Sequence, residues 1–171
     1  MAKWQRVRID IPKGLRPTER LAVASEIIDF IIDRTKSGKD KDNKPFPKYS
    51  KGYKDSKSYE IAGKSGNVDI TLSGETLNSL ELISHTNGSI LIGYDKGDSE
   101  LNGKVEGNRI GSYGQKEGDS KKARDFLGIT EGDKKKITNK YPVKTKKERE
   151  STRRKAIDIV TALSESREAV E

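Results

Sequence analysis

Apolar and polar residues alternate near the start of the chain, over residues 4–11. Val7, Ile9 and Ile11 share one side of an extended backbone, and charged side chains occupy the other side. A period of two that is carried by β-branched residues predicts a strand with one buried face.

The clearest periodic pattern predicts a helix over residues 17–36. Pro17 suits the first turn of a helix, where its missing N–H costs nothing, and Gly38 favours a stop after the last turn. Apolar residues recur at steps of three and four, which predicts one buried face. We expect that face to contain Leu21, Ala24, Ile28, Ile31 and Ile32, widened by Ile27 and Phe30.

The middle of the chain has further strand-like segments at residues 68–72, 81–85 and 90–94. Asn87-Gly88 lies between the last two and is a strong signal for a tight hairpin. Residues 75–80 suggest a short helix or turn that places Leu77 and Leu80 together. The whole pattern predicts an α+β fold, in which the N-terminal strand and the amphipathic helix pack on a small antiparallel sheet.

Charge is distributed unevenly along the chain. Residues 34–66 carry ten basic and four acidic residues, and residues 119–155 carry fourteen and six, whereas residues 67–118 carry four and eight. The first basic stretch is poor in large apolar residues and contains Gly, Ser and Pro, which predicts a long loop over residues 39–66.

The end of the chain predicts a second helix, from about residue 147 to residue 164. Its apolar residues Ala156, Ile159, Val160 and Leu163 follow helical spacing, while its first two turns are nearly all charged. We therefore expect one domain over residues 1–141 and a C-terminal helical arm over residues 142–171.

Composition limits the chemistry. Hydrophobic residues make up 30% of the chain and charged residues 36%, with a net charge of +8, no Cys and one His. The absence of Cys excludes disulfides, thiolate catalysis and Cys-ligated metals, and a lone imidazole does not make a His-based triad or a His-rich metal site. No apolar run reaches the roughly 18 residues of a membrane span.

We expect no catalytic residue, no metal and no cofactor, and therefore not an enzyme. Asp40 and Asp42 have the spacing that begins a calcium loop. Pro45, however, stands where such a loop needs Gly, and Lys51 stands where it needs Glu. The low apolar content suggests that part of the chain completes its burial against a partner.

Three tyrosines lie among the lysines of the predicted loop: Tyr49, Tyr53 and Tyr59. This pattern is compatible with an aromatic and basic surface on which nucleic-acid bases stack. The other interpretation, which we favour, is that the tyrosines pin a long loop onto the domain.

An apolar island, Arg124–Ile129, interrupts the second basic stretch. It is either an anchor in the core, with Gly128 giving a turn and Arg124 pairing with an acidic group, or part of a subunit interface. The candidate anchor or interface residues are Arg124, Phe126, Leu127, Gly128, Leu77 and Leu80.

The basic residues of the two basic stretches are either solvated or form a contact surface for phosphate or carboxylate groups. The candidates for that surface are Lys134, Lys135, Lys136, Lys146, Lys147, Arg153 and Arg154.

Several segments, in the same order, resemble motifs of phage virion-morphogenesis proteins. Residues 38–50 (GKDKDNKPFPKYS) resemble G-K-D-x-x-G-x-P-F-x-x-Y-S, and residues 72–80 (LSGETLNSL) resemble L-T-G-x-x-L-x-S-[LI]. Residues 92–93 resemble a V-G strand end, and residues 121–129 (KKARDFLGI) resemble P-x-R-x-F-L-G-[IL]. The chain departs from these motifs at Asn43, which replaces a Gly, and in the lysine-rich run that replaces the Pro.

The resemblance implies a structural protein of the virion neck of long-tailed bacteriophages, one that completes the tail and joins it to the DNA-filled head. It implies a homo-oligomeric ring that contacts neighbouring connector or head-completion proteins and tail-terminator or tail-tube proteins. Nonspecific contact with duplex DNA in the channel is also expected. Such a protein is made in the host cytoplasm, becomes part of the virion and has no known active site.

The charge supports an alternative, a nucleic-acid-binding protein without sequence specificity. Neither a zinc finger nor an RNP motif occurs in the chain.

Overall fold

A computed structural model of the chain describes residues 3–49, 51–61, 68, 70, 74–111 and 123–168. The chain divides into two compact units, residues 1–141 and residues 142–171. In the first unit the elements are β1 (Arg6–Asp10), α1 (Pro17–Lys36), α2 (Lys51–Lys54), α3 (Lys57–Ile61), α4 (Glu75–Asn78), β2 (Glu81–Thr86), β3 (Ser89–Gly93), α5 (Ser99–Ile110) and α6 (Glu131–Thr138).

The sheet has three antiparallel strands in the order β1-β3-β2. Central Ile92 pairs with Val7 on one side and with Leu82 on the other. The predicted two-residue turn at Asn87-Gly88 joins β2 to β3, since Thr86 pairs with Ser89. The α+β prediction is therefore confirmed.

Gly93 ends β3 where the backbones of β3 and of the segment before β1 approach closely. A Cβ atom at this position would lie 2.5 Å from the carbonyl oxygen of Gln5. Any larger residue would therefore push the central strand away from β1. The N–H of the next residue, Tyr94, donates to that same oxygen at 3.2 Å.

α1 has the predicted bounds, but its buried face is rotated from the predicted one. Val23, Ile27 and Ile31 are fully buried, whereas Leu21 is 47% exposed. Apolar residues surround more than half of this helix, so their spacing alone does not select the face. Polar Arg34 also belongs to the buried face.

The core lies between α1 and the sheet and extends to the segments that follow α3 and α5. It contains Ile9, Ile11, Leu15, Val23, Ala24, Ile27, Ile31, Phe46, Val68, Leu77, Leu80, Ile90, Ile92, Tyr94, Leu101, Val105, Phe126, Leu127 and Ile137.

Some elements differ from the sequence prediction. The predicted strand at residues 68–72 lies mostly outside the described residues, and Val68 and Ile70, which are described, do not belong to a strand. The expected loop at residues 39–66 contains two short helices, α2 and α3.

α5 and α6 were not predicted, since glycines and lysines hide their weak apolar periodicity. Side-chain caps begin both helices. Asp98 accepts a hydrogen bond from the N–H of Leu101 at 2.8 Å, and Thr130 accepts one from the N–H of Asp133 at 3.2 Å.

The second unit contains the helix α7 (Lys146–Glu168), which confirms the helix predicted near the C-terminus. Thr145 and Glu148 cap it reciprocally: the N–H of Thr145 donates to Glu148 Oε2 at 2.6 Å, and the N–H of Glu148 donates to Thr145 Oγ1 at 3.3 Å. All the described side chains of α7 are exposed. Within the described ranges, no helix has both the length and the apolar character that crossing a bilayer requires.

Candidate functional site

Arg34, in the last turn of α1, joins segments that are distant in sequence. Only 5% of this residue is exposed. Its Nη2 donates to the carbonyl oxygen of Phe126 at 2.5 Å, and its Nη1 donates to that of Gly128 at 2.9 Å. A guanidinium is suited to this role, because its rigid fork of donors can satisfy two acceptors at once. We call Arg34 with the segments 38–46 and 124–130 the Arg34 clamp.

The first segment of the clamp folds back on itself directly after α1. The Asp40 carboxylate accepts hydrogen bonds from the N–H groups of Asp42 and Lys44, at 2.9 and 2.8 Å. The N–H of Phe46 donates to the carbonyl oxygen of Gly38 at 2.8 Å. These bonds fix a tight turn, in which the Asp40 carboxylate binds backbone N–H groups.

The two segments of the clamp also bind each other. The N–H of Lys41 donates to the carbonyl oxygen of Asp125 at 2.8 Å, and Lys41 Nζ lies 3.1 Å from Asp125 Oδ2. The other carboxylate oxygen of Asp125 accepts from Arg109 Nε of α5 at 2.7 Å. Arg109 in turn donates to Gln5 Oε1 at 2.7 Å, so the clamp is connected to the chain segment that leads into β1.

Asp133, at the start of α6, ties that helix to the tip of the first segment. Its Oδ2 accepts from Asn43 Nδ2 and from Thr130 Oγ1, both at 2.7 Å. Lys136 Nζ lies 3.0 Å from Oδ1. The hydrogen bonds from Asn43 and Thr130, with a smaller contribution from Lys136, lower the pKa of Asp133 to about 2. The carboxylate is therefore ionised over the whole physiological range.

The charge of Arg34 is balanced by its surroundings. Burial lowers the pKa of its guanidinium from the ordinary value, and nearby carboxylates oppose this effect. Those carboxylates belong to Asp40, Asp133, Asp42 and Asp125. Because the clamp binds backbone carbonyls and internal side chains, its chemistry is to hold chain segments in place.

The structure places the predicted anchor residues in the core. Phe126 and Leu77 are fully buried, Leu127 is 1% exposed and Leu80 is 6% exposed. Gly128 has a φ of 154°, and a Cβ atom there would lie 3.3 Å from the Cβ of Lys41. Phe126 and Leu127 of the island are thus buried within the first unit, whereas Arg124 and Ile129 are half-buried.

Arg124 and the predicted loop contact each other through aromatic rings. The guanidinium carbon of Arg124 lies 5.2 Å from the ring centroid of Tyr49. The rings of Tyr49 and Tyr59 meet edge to face, with centroids 5.7 Å apart. These contacts favour the pinning interpretation for both tyrosines, while the side chain of Tyr53 lies outside the described residues.

The candidate basic residues fall in both units. On α6, Lys134 lies 2.6 Å from Glu131, and its side chain is only 16% exposed, whereas the Lys136 side chain is 79% exposed. Lys135 is also exposed. The remaining candidates are exposed on α7: Lys146, Lys147, Arg153 and Arg154.

Sequence reasoning missed Arg34, Asn43, Arg109 and Asp133. For Arg34 a signal does exist, since it follows Ile27 and Ile31 at helical spacing on the buried face. Asp133 follows Thr130 by three residues, which is the spacing of a capping pair. Asn43 and Arg109 are recognisable only through their tertiary partners.

In the part of the chain that the structure describes, no group of three or more His, Asp or Glu residues could hold a metal ion. Comparison of the chain with protein-family models, with curated proteins and with solved structures finds no match.

Proposed function

We propose that the protein is a structural subunit of a bacteriophage neck, which completes the tail and joins it to the DNA-filled head as part of a homo-oligomeric ring. In this role it has no catalytic residue. The first unit provides a rigid body, and the exposed basic residues contact acidic neighbouring proteins or the duplex in the channel.

The convergence of the motifs at residues 38–50 and 121–129 on Arg34 carries the proposal. Residues 38–50 and 121–129 resemble two separate motifs of virion-morphogenesis proteins, and Arg34 binds the second at sites 92 and 94 residues away. Lys41 of the first motif also bonds directly to Asp125 of the second. The contact between two segments that are far apart in sequence supports the view that the motifs belong to one fold.

The motif at residues 72–80 supports the same interpretation. Leu77 belongs to the segment that resembles L-T-G-x-x-L-x-S-[LI], and it lies in the same buried core as Phe126. Three segments of the resemblance thus contribute to one folded unit. The +8 net charge and the exposed lysines suit a subunit whose surface meets carboxylates or phosphates.

Electron microscopy of particles made with and without the protein tests the proposal. We expect full heads and separate tails in its absence, and joined particles when the wild-type protein is supplied. Joined particles in its absence, or empty heads as the main product, would contradict a role at the joint.

Charge-reversed variants then separate the basic surface from the fold. Lys135→Glu avoids the ion pairs of Lys134 and Lys136, so we expect an unchanged fold and reduced joining that worsens with added salt. Lys13→Glu is a matched control, because Lys13 is exposed, forms no ion pair among the described residues and lies in neither basic stretch. Tight binding of the isolated protein to one DNA sequence at high salt would instead favour the nucleic-acid-binding alternative.

A further inference from the structure

We propose that α7 pairs in antiparallel orientation with α7 of a second copy of this chain. The inference rests on the second unit alone, and it does not depend on a role in a virion neck. It assigns a partner to a helix face that is uncovered in the single chain.

The uncovered face lies in the middle of α7. Ile159 and Val160 are 61% and 67% exposed, respectively. Ile157, which is 54% exposed, lies about 200° around the helix from Ile159 and does not belong to this face. Ala156, which is also exposed, shares the face of Ile159 and Val160 at steps of three and four. A contiguous group of exposed apolar residues on one face of a helix indicates an interaction surface.

The helix needs such a partner for its own stability. In proteins most of the stability of a helix comes from packing of its apolar face, and β-branched residues have a lower helix propensity than Ala or Leu. The cap formed by Thr145 and Glu148 supports only the first turn. Burial of Ile159 and Val160 between two helices would supply the stabilisation that the free helix lacks.

The charge pattern identifies a second copy as the partner and sets its orientation. Residues 146–155 carry six basic and two acidic residues, whereas residues 156–168 carry one basic and three acidic residues. An antiparallel pair that crosses near Ile159 places the basic half of each helix beside the acidic half of the other helix. It also brings the apolar residues of the two helices into contact with each other. The helix dipoles also favour this arrangement. A parallel pair would place the two basic halves side by side.

Sedimentation equilibrium of the full chain tests the pairing. Over a concentration range from about 5 to about 500 µM at low salt, we expect a monomer–dimer equilibrium that weakens as salt is added. A monomer throughout this range would overturn the proposal. An association that strengthens with salt would overturn the charge argument that selects a second copy.

Matched substitutions locate the interface. Val160→Asp should weaken the dimer at least about 100-fold, because the charge is buried at two symmetric positions. Thr161→Asp adds the same charge to a neighbouring β-branched residue that points away from this face, and it should change the dissociation constant by less than about threefold. A dimer that tolerates Val160→Asp does not form through α7.

Spin labels distinguish the two orientations. The chain has no Cys, so Lys147→Cys introduces a single labelling site. At a rise of 1.5 Å per residue, an antiparallel pair centred between Ile159 and Val160 places the two labels about 37 Å apart along the axis. A parallel pair places them roughly 10–15 Å apart, and this shorter distance would overturn the proposed orientation.

Discussion

Replacing Arg34 by Ala should destabilise the first unit strongly while leaving most of the core in place. The substitution removes both donors of the Arg34 clamp. The carbonyl groups of Phe126 and Gly128 then remain inside the protein without their partner, and four carboxylates lose the cation that they surround.

The expected magnitude follows from the two short hydrogen bonds. A hydrogen bond that involves a charged group contributes about 1.5–3 kcal/mol, so two of them give about 3–6 kcal/mol. The weak third contact, from Nη1 to the carbonyl oxygen of Lys41 at 3.4 Å, adds little. A loss of this size is a large fraction of the roughly 5–15 kcal/mol that stabilises a typical domain.

Urea unfolding followed by tryptophan fluorescence measures this loss. Trp4 is the single tryptophan, and its Nε1 donates to the carbonyl oxygen of Tyr94 at 2.7 Å, so its emission reports on the sheet rather than on the clamp itself. Arg34→Lys keeps the charge but not the fork, and should recover part of the free energy of unfolding.

Lys36→Ala is the matched control, since it removes an exposed cation from the same helical turn. It should change the free energy of unfolding by no more than about 0.5 kcal/mol. The reasoning is refuted if Arg34→Ala costs less than about 1 kcal/mol, because the clamp would then not hold the two segments together.

Three further predictions concern single positions. The lowered pKa of Asp133 contributes stability that is fully present above about pH 4 and is lost as pH falls towards 2. Between pH 4 and pH 2 the free energy of unfolding of Asp133→Asn should therefore fall by about 2 kcal/mol less than that of the wild type. Urea unfolding at several pH values measures this difference. Tyr94→Phe should leave the melting temperature unchanged or raise it, since the Tyr94 hydroxyl is buried with no hydrogen-bond partner among the described residues; a marked fall would reveal a hidden partner. Ile27→Asp should abolish the folded circular dichroism spectrum, while Leu21→Asp should retain it, because only the first residue is fully buried. Equal behaviour of these two variants would contradict the observed face of α1.

The elements with strong local signals could be predicted from the sequence. α1 has a proline at its start and apolar residues at helical spacing, and the β2–β3 hairpin has its Asn87-Gly88 turn. The proline and the turn act through backbone preferences that hold in any fold, and the apolar spacing acts through burial of one helix face. The helical residues of α5 have no such signal, since this helix contains Gly103 and Gly107 and depends on burial of Leu101 and Val105.

The clamp could be predicted only in part. Phe126 and Leu127 are recognisable as an apolar island in a charged stretch, and their burial follows from that contrast. Arg34 looks like one of many surface cations until its partners are known, because its role depends on carbonyl groups far along the chain. Backbone acceptors leave no trace in the sequence, so the residues that bind them are hard to find.

The order of the strands has a consequence for the nascent chain. Val7 of β1 pairs with Ile92 of β3, and Arg34 binds carbonyl groups that lie 92 and 94 residues later in the chain. As the ribosome releases the chain from its N-terminus, β1 and the apolar face of α1 emerge long before the segments that cover them. Such late, long-range closure slows folding and leaves apolar surface open to aggregation. Slower synthesis at low temperature should therefore raise the soluble yield, and fragments that end before Phe126 should be recovered mainly as aggregates.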